Sequence, residues 1–265
     1  MQKHSAVLAC MVAGMVVVMG CNAQSAAPDE RGLWQIWAAS TNAADGRAMV
    51  AACSAFRAKA PQDPLGVVVA GLEAWQLLKL GNTNAAVALL EPMASVSGTA
   101  TYLQTAGAEM ARGWLTRLDR EKVRSALKKI YVRDIEFPSS LEALSSLKNS
   151  PMPPLTDRWG KSWVYRLDSS FKGMSTQQYV LESARLGPRS DLVKALALPY
   201  AGQINLDPVR LSPVSADTVE FTTPAGKTAF LQEGGSLTGT TVAYVGANLI
   251  VLADENHWRV VMKPR

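Results

Sequence analysis

Apolar residues recur at helical spacing through the first half of the chain and alternate with polar residues near its end. Leu33-Trp34-Ile36-Trp37, Met49-Val50-Cys53-Phe56 and Val67-Val68-Leu72-Trp75-Leu78 each line one face of a 3.6-residue period. They predict helices from about Asp29 to Arg120, with breaks at Pro61, Pro64, Gly81-Asn82 and Pro92. A further helical run, Val123 to Tyr131, leads into a stretch rich in turns that carries Pro138, Pro151, Pro153 and Pro154. After Asp207 the period becomes two. In Thr218-Val219-Glu220-Phe221-Thr222 the two apolar side chains share one face, and Lys227 to Gln232, Thr240 to Val245, Asn248 to Leu252 and Trp258 to Met262 read as further strands. The turns between them carry Glu233-Gly234-Gly235, Gly246-Ala247 and Asp254-Glu255-Asn256. The pattern predicts a multidomain α+β protein: a helical region over 29–120, an α+β unit over 121–197, and a small β sandwich or barrel over 207–265.

The first residues form a separate pattern. Lys3 and His4 precede an uncharged stretch from Ser5 to Met19, and Val18-Met19-Gly20-Cys21-Asn22 follows. A basic start, a short apolar run and a small residue at the cleavage point make a secretory signal. The run is too short for a bilayer core, which needs about 20 apolar residues. The order aliphatic, variable, small, Cys resembles the lipobox of bacterial lipoproteins, although Met19 is an uncommon choice two places before the cysteine. Val7-Leu8-Ala9-Cys10 fits the same box but leaves too little apolar chain before it. The resemblance implies a signal peptide over 1–20, a linker over 21–28, and lipid attachment at Cys21. It places the chain in the bacterial cell envelope, anchored to a membrane by lipid and facing the periplasm. In well-studied lipoproteins an Asn after the cysteine is not an inner-membrane retention signal, which favours the outer membrane.

Composition narrows the function classes. The 265 residues are 48% hydrophobic and 18% charged with a net charge of +5, an ordinary balance for folded domains. The basic residues are scattered and show no aromatic interleaving, so a nucleic-acid partner is not expected. Of three cysteines, Cys10 would leave with the signal and Cys21 would carry lipid. Cys53 then has no intramolecular partner, and its apolar helical setting predicts a small buried hydrophobe.

Within the helical region Ala52 and Phe56 recur 34 residues later as Ala86 and Leu90, and Ala74 recurs as Ala108. Gly81 falls between two helices and Pro64 follows Phe56 by eight residues. This resembles the tetratricopeptide repeat, in which small residues let paired helices approach. Ala70 and Gly98 depart from its Trp and second Pro positions, so an unrelated array of helical hairpins is the other reading. Either arrangement presents a surface suited to a peptide or protein.

The next segment carries a more specific pattern. Phe137-Pro138 is followed by Leu141-Glu142-Ala143-Leu144, a proline-rich loop, and Asp157-Arg158-Trp159-Gly160-Lys161-Ser162-Trp163-Val164-Tyr165. Tyr179 to Ser183 and Gly187 complete it. This resembles the globular head of the major pseudopilin of type II secretion systems, in which an Asp-Pro-Trp-Gly-x-Pro-Tyr-x-Tyr motif enters a β-hairpin. Asp157, Trp159, Gly160 and Tyr165 match; Arg158 and Ser162 replace the prolines, and Trp163 replaces Tyr. Asp157 is expected to cap the turn, and Gly160 to supply a positive φ. The family's loop after the serine binds calcium. Here that loop offers Asp191 alone, against about 6 to 8 oxygen ligands for a hard cation, so no metal is expected. The prepilin peptidase site that opens pseudopilins is also missing before Val123, which removes the usual route into a pilus.

The C-terminal run from Phe230 through Gly234-Gly235 to Leu252 resembles the small β domain of the type II secretion inner-membrane clamp protein and of the type IV pilus assembly lipoprotein. No catalytic set is legible. His257 stands alone; Gly226-Lys227-Thr228 has Phe221 where a phosphate loop needs its first Gly; Gly234 to Thr238 misses the nucleophile-elbow spacing. Neither catalytic residues nor cofactors are expected. The resemblances imply a non-catalytic scaffold or assembly component of a type II secretion or type IV pilus-like machine, with pseudopilins or inner-membrane assembly proteins as partners. A general envelope adaptor that binds peptides or proteins through its helical repeats is the alternative.

Overall fold

The computed structural model describes residues 27–42, 45–96, 98, 100–147, 150–168, 177–197, 210–213, 218–222, 228–237, 239–254 and 256–263. Cys21 and the signal segment lie outside them. The described residues form a mixed α+β fold of helices and three small antiparallel sheets.

Five helices come first: α1 (Glu30–Asn42), α2 (Gly46–Lys59), α3 (Gly66–Lys79), α4 (Thr83–Ala94) and α5 (Tyr102–Asp134). Their starts are set locally. Asp45 accepts the backbone N–H of Arg47, Asn82 accepts that of Ala85, and Thr101 and Gln104 form a reciprocal capping box. The helices α2 to α5 pack each on the next. Phe56, Ala74, Ala86, Leu90 and Ala108 are buried between them, whereas Ala52 is exposed and so leaves the 34-residue phase without one of its small contacts. Pro92 is not a break. It lies inside α4 two residues from the end, where the lost N–H and the ring disturb only the last turn.

The helix α5 runs for 33 residues, and the sequence boundary at 120/121 falls inside it. Its first half, Leu103 to Leu118, packs in the main core with α1 to α4. Its second half, Val123 to Ile130, forms a second core with Leu141, Leu144, Trp163 and Leu181. The strands of that second core, β1 (Val164–Asp168) and β2 (Gln178–Glu182), pair antiparallel, and a short α6 (Leu192–Ala197) returns the chain to the main core.

The C-terminal strands make two sheets. One has β3 (Arg210–Pro213), β4 (Thr218–Thr222) and β5 (Thr228–Gln232); the other has β6 (Ser236–Leu237), β7 (Thr240–Val245), β8 (Leu249–Ala253) and β9 (Trp258–Met262). All five residues of β8 are buried, which explains its unbroken apolar run. Leu249, Val251 and Ala253 enter the main helical core, and Ile250 and Leu252 on the opposite face meet Val219 and Phe221 of β4. The helices, the four-stranded sheet and the three-stranded sheet are therefore stacked layers, and the helical region and the C-terminal strands share one core.

Candidate functional site

The segment that resembles the pseudopilin head supplies the densest polar chemistry. At its centre Asp157, 3% exposed, accepts the N–H groups of Trp159 and Lys161 through Oδ1, each at 3.0 Å. Its Oδ2 accepts the hydroxyl of Ser183 at 2.7 Å. Ser183 Oγ in turn accepts the N–H groups of Arg185 and Leu186, and Ser190 Oγ accepts the N–H of Ser183. One carboxylate thus joins the turn before β1 to the loop after β2. Gly160 has φ 77° and Gly187 φ 54°, values that a side chain would strain. Trp163 and Tyr165 both turn into the second core, where Tyr165 donates to the carbonyl of Pro138 at 2.6 Å.

Trp159 has a different setting. Its ring is only half-buried; Nε1 donates to Glu109 Oε2 at 3.1 Å, and the Arg185 guanidinium lies 4.7 Å over the ring. Arg158 beside it bridges Asp119 and Glu91 at 2.5 and 3.0 Å. The turn is therefore pinned to α4 and α5 by charge as well as by packing.

Sequence reading missed two arginines here. Arg117, fully buried on α5, donates to the carbonyl of Arg189 at 2.9 Å and to the side chain of Asn256. Arg120 donates to the carbonyl of Leu181 at 2.8 Å and reaches Asp191 at 3.5 Å. Two guanidinium groups thus sit against the backbone and carboxylate oxygens of the loop after β2. Among the described residues no group of three or more His, Cys, Asp and Glu stands together to hold a metal. A calcium titration followed by thermal melting is expected to leave the midpoint unchanged. Saturation at a hundredfold excess over Kd would add about 2.7 kcal/mol, so a rise of several degrees would contradict this.

A groove on the same unit runs between α5 and the aromatic cluster. Glu121, Arg124, Ser125, Lys128, Phe137 and Tyr179 line about 280 Å³ of it. Tyr131 stacks on Phe137 at 4.6 Å, and Phe137 meets Tyr179 edge-on at 4.6 Å. At the end of α5, Val132 and Ile135 are exposed, and Ile135 holds φ 63° at the C-cap, a left-handed conformation that disfavours a β-branched residue.

The remaining candidates are structural. Cys53 is fully buried, and desolvation pushes its thiol up to about 12, which keeps it unreactive. His257 lies in the turn before β9 rather than in a strand; burial, aided by Arg117, lowers it to about 3, and its ring meets Trp114 edge-on at 5.6 Å. Gly226 and Lys227 lie outside the described residues, and Thr228 opens the strand β5, where a phosphate loop would open a helix. Among the described residues no helix is long and apolar enough to cross a membrane. No family model, curated protein or solved structure matches this chain.

Proposed function

We propose that the chain is a non-catalytic lipoprotein, anchored through Cys21 and facing the periplasm, that serves as a scaffold or assembly component of a type II secretion or type IV pilus-like envelope machine. The observation that carries this reading is the Asp157–Ser183 tie. It joins a Trp-Gly turn to the loop after a two-stranded hairpin, around a core built on the tail of a long helix. That is the order of parts in the pseudopilin head, here fused to a helical array and a C-terminal β unit. Within this reading the partners are pseudopilins or inner-membrane assembly proteins, and the aromatic groove with Arg124 and Lys128 is the contact surface. No cofactor is required.

A second reading is a general envelope adaptor. It draws on the groove of about 530 Å³ between the α2–α3 loop, α3 and α4, which is lined by Val67, Ala70, Leu89, Pro92 and Met93. Crosslinking in the native envelope separates the two. Recovery of pseudopilin-like or inner-membrane assembly proteins supports the first, and recovery of porin-folding factors or peptidoglycan enzymes alone supports the second. Secretion ATPase and pseudopilin genes near the coding gene would favour the first independently. The Cys21→Ser variant is expected to lose acyl label and leave the membrane fraction; retained label would place the lipid elsewhere.

A further inference from the structure

The described chain starts at Ala27, and its position fixes where a lipid tether would pull. Ala27 and Pro28 border an open hollow shared with Arg31, Asn248 and Lys263. Next to them Glu30, 8% exposed, is bound into the β7–β8 turn. Its Oε1 accepts the N–H of Ala247 at 2.7 Å and the hydroxyl of Tyr244 at 3.0 Å; its Oε2 accepts the N–H of Asn248 at 2.7 Å and that residue's side-chain amide at 3.0 Å. A Cβ on Gly246 would collide with this carboxylate, so the turn can close on Glu30 only with glycine there. Glu30 thus ties the start of the described residues to the β7–β8 turn in one corner.

The two ends of β8 place this corner relative to the pseudopilin-like unit. The turn after Val245 holds Glu30, whereas the turn before Trp258 lies on α5, where the carbonyl of Asn256 accepts Trp114 Nε1 at 2.8 Å and its side chain meets Arg117. Arg117 also contacts the loop at Arg189. Past Leu118, α5 leaves the main core and continues into the second one. The corner at Ala27 adjoins one end of β8, the contact with α5 adjoins the other, and the tip at Val132 and Ile135 lies a further half of α5 beyond that contact. At about 3.3 Å per strand residue and 1.5 Å per helix residue that path is at most roughly 40 Å long. The six residues from Cys21 to Ala27 reach at most about 20 Å.

We infer that the corner formed by the α1 start, the β7–β8 turn and Lys263 rests on the headgroup surface of the bilayer, and that the 121–197 unit stands away from it. This rests on the acylation of Cys21 proposed above. Charge agrees at the corner: exposed Arg31 and half-buried Lys263 line the same hollow, suited to anionic headgroups. Charge alone would not choose, because Lys128, Lys129 and Arg133 make the distal end basic as well. The short tether decides. The consequence is that the aromatic groove and the Val132–Ile135 tip are presented to proteins further into the periplasm and not to the anchoring membrane.

The test uses the full acylated protein in vesicles of phosphatidylethanolamine and phosphatidylglycerol, with a bimane label on Ala247→Cys or on Val132→Cys. Both positions are exposed, and buried Cys53 escapes labelling. On reconstitution the label at 247 is expected to lose about half or more of its quenching by aqueous iodide and to gain quenching by a headgroup-attached nitroxide, while the label at 132 keeps its detergent values. Equal protection at the two positions, or protection at 132 alone, overturns the orientation. Intact mass decides which reading has failed: an acylated chain with the wrong pattern sinks the orientation alone, and an unacylated chain sinks the lipoprotein reading and the orientation with it.

Discussion

Trp258→Ala is expected to destabilise the fold by about 3–5 kcal/mol, the range for removing a large aromatic side chain from a core. Trp258 is fully buried and stands on β9 with its indole between α3 and α5. The slot exists because two helix positions lack a side chain. A Cβ on Gly71 would lie 2.5 Å from the indole Nε1 and collide with Met110, and one on Gly107 would lie 2.6 Å from Val67 and 3.6 Å from the ring. Glycine inside a helix costs roughly 0.5–1 kcal/mol against alanine, so its presence in both helices is offset by the ring that it admits. Truncation would leave a cavity where the helical layer meets the four-stranded sheet. Guanidinium chloride denaturation measures the loss. Gly71→Ala is expected to cost about 1–3 kcal/mol alone, by overpacking. The double variant should then lose clearly less than the two effects together, since both act on one slot. Strict additivity would mean that the ring does not fill it.

Much of this was legible in the sequence wherever one segment decides its own structure. The strand Thr218–Thr222 appears with the bounds that its alternation predicts, and β7 and β9 likewise. The Asp157 cap and the positive φ of Gly160 are visible from residue type and spacing, because a turn is a local object. The course of α5 was harder to read. Between Arg117 and Lys129 its sequence is thick with charge, and burial of Arg117 and Asp119 rests on partners from distant segments, Asn256 and Arg158. The apolar period weakens there and suggests a boundary where the helix is continuous. The shared core escaped for the same reason. A run of five apolar residues in β8 reads as a buried strand, but nothing in it tells that one face belongs to the helices and the other to β4. The contact of Glu30 with Ala247 spans 217 residues and leaves no local signal at either end. Gly71 and Gly107 did carry one, since an isolated glycine in a helical pattern commonly marks a close approach.

Asp157→Ala is expected to cost about 3 kcal/mol or more, because hydrogen bonds to a charged partner are worth about 1.5–3 kcal/mol each and three end on this one carboxylate. Removing it leaves the N–H groups of Trp159 and Lys161 without their acceptor, and the buried hydroxyl of Ser183 loses the oxygen to which it donates. Asp157→Asn keeps one oxygen for the turn, so its loss should be smaller. The damage should also be local. The tie joins the turn before β1 to the loop after β2, the hairpin that packs Trp163 and Leu181 into the second core, whereas Trp258 and Trp114 belong to the main core. Hydrogen exchange read by mass spectrometry should therefore show faster opening over β1, β2 and the 183–190 loop, with α3 and β8 still protected. If the reading of this unit as the contact surface holds, the variant at permissive temperature should stay in the membrane fraction yet lose its crosslinks to assembly proteins. A variant as stable as the parent would show that Asp157 is not the link between turn and loop. One that opens α3 and β8 together with the hairpin would show that the two cores unfold as a single unit through α5.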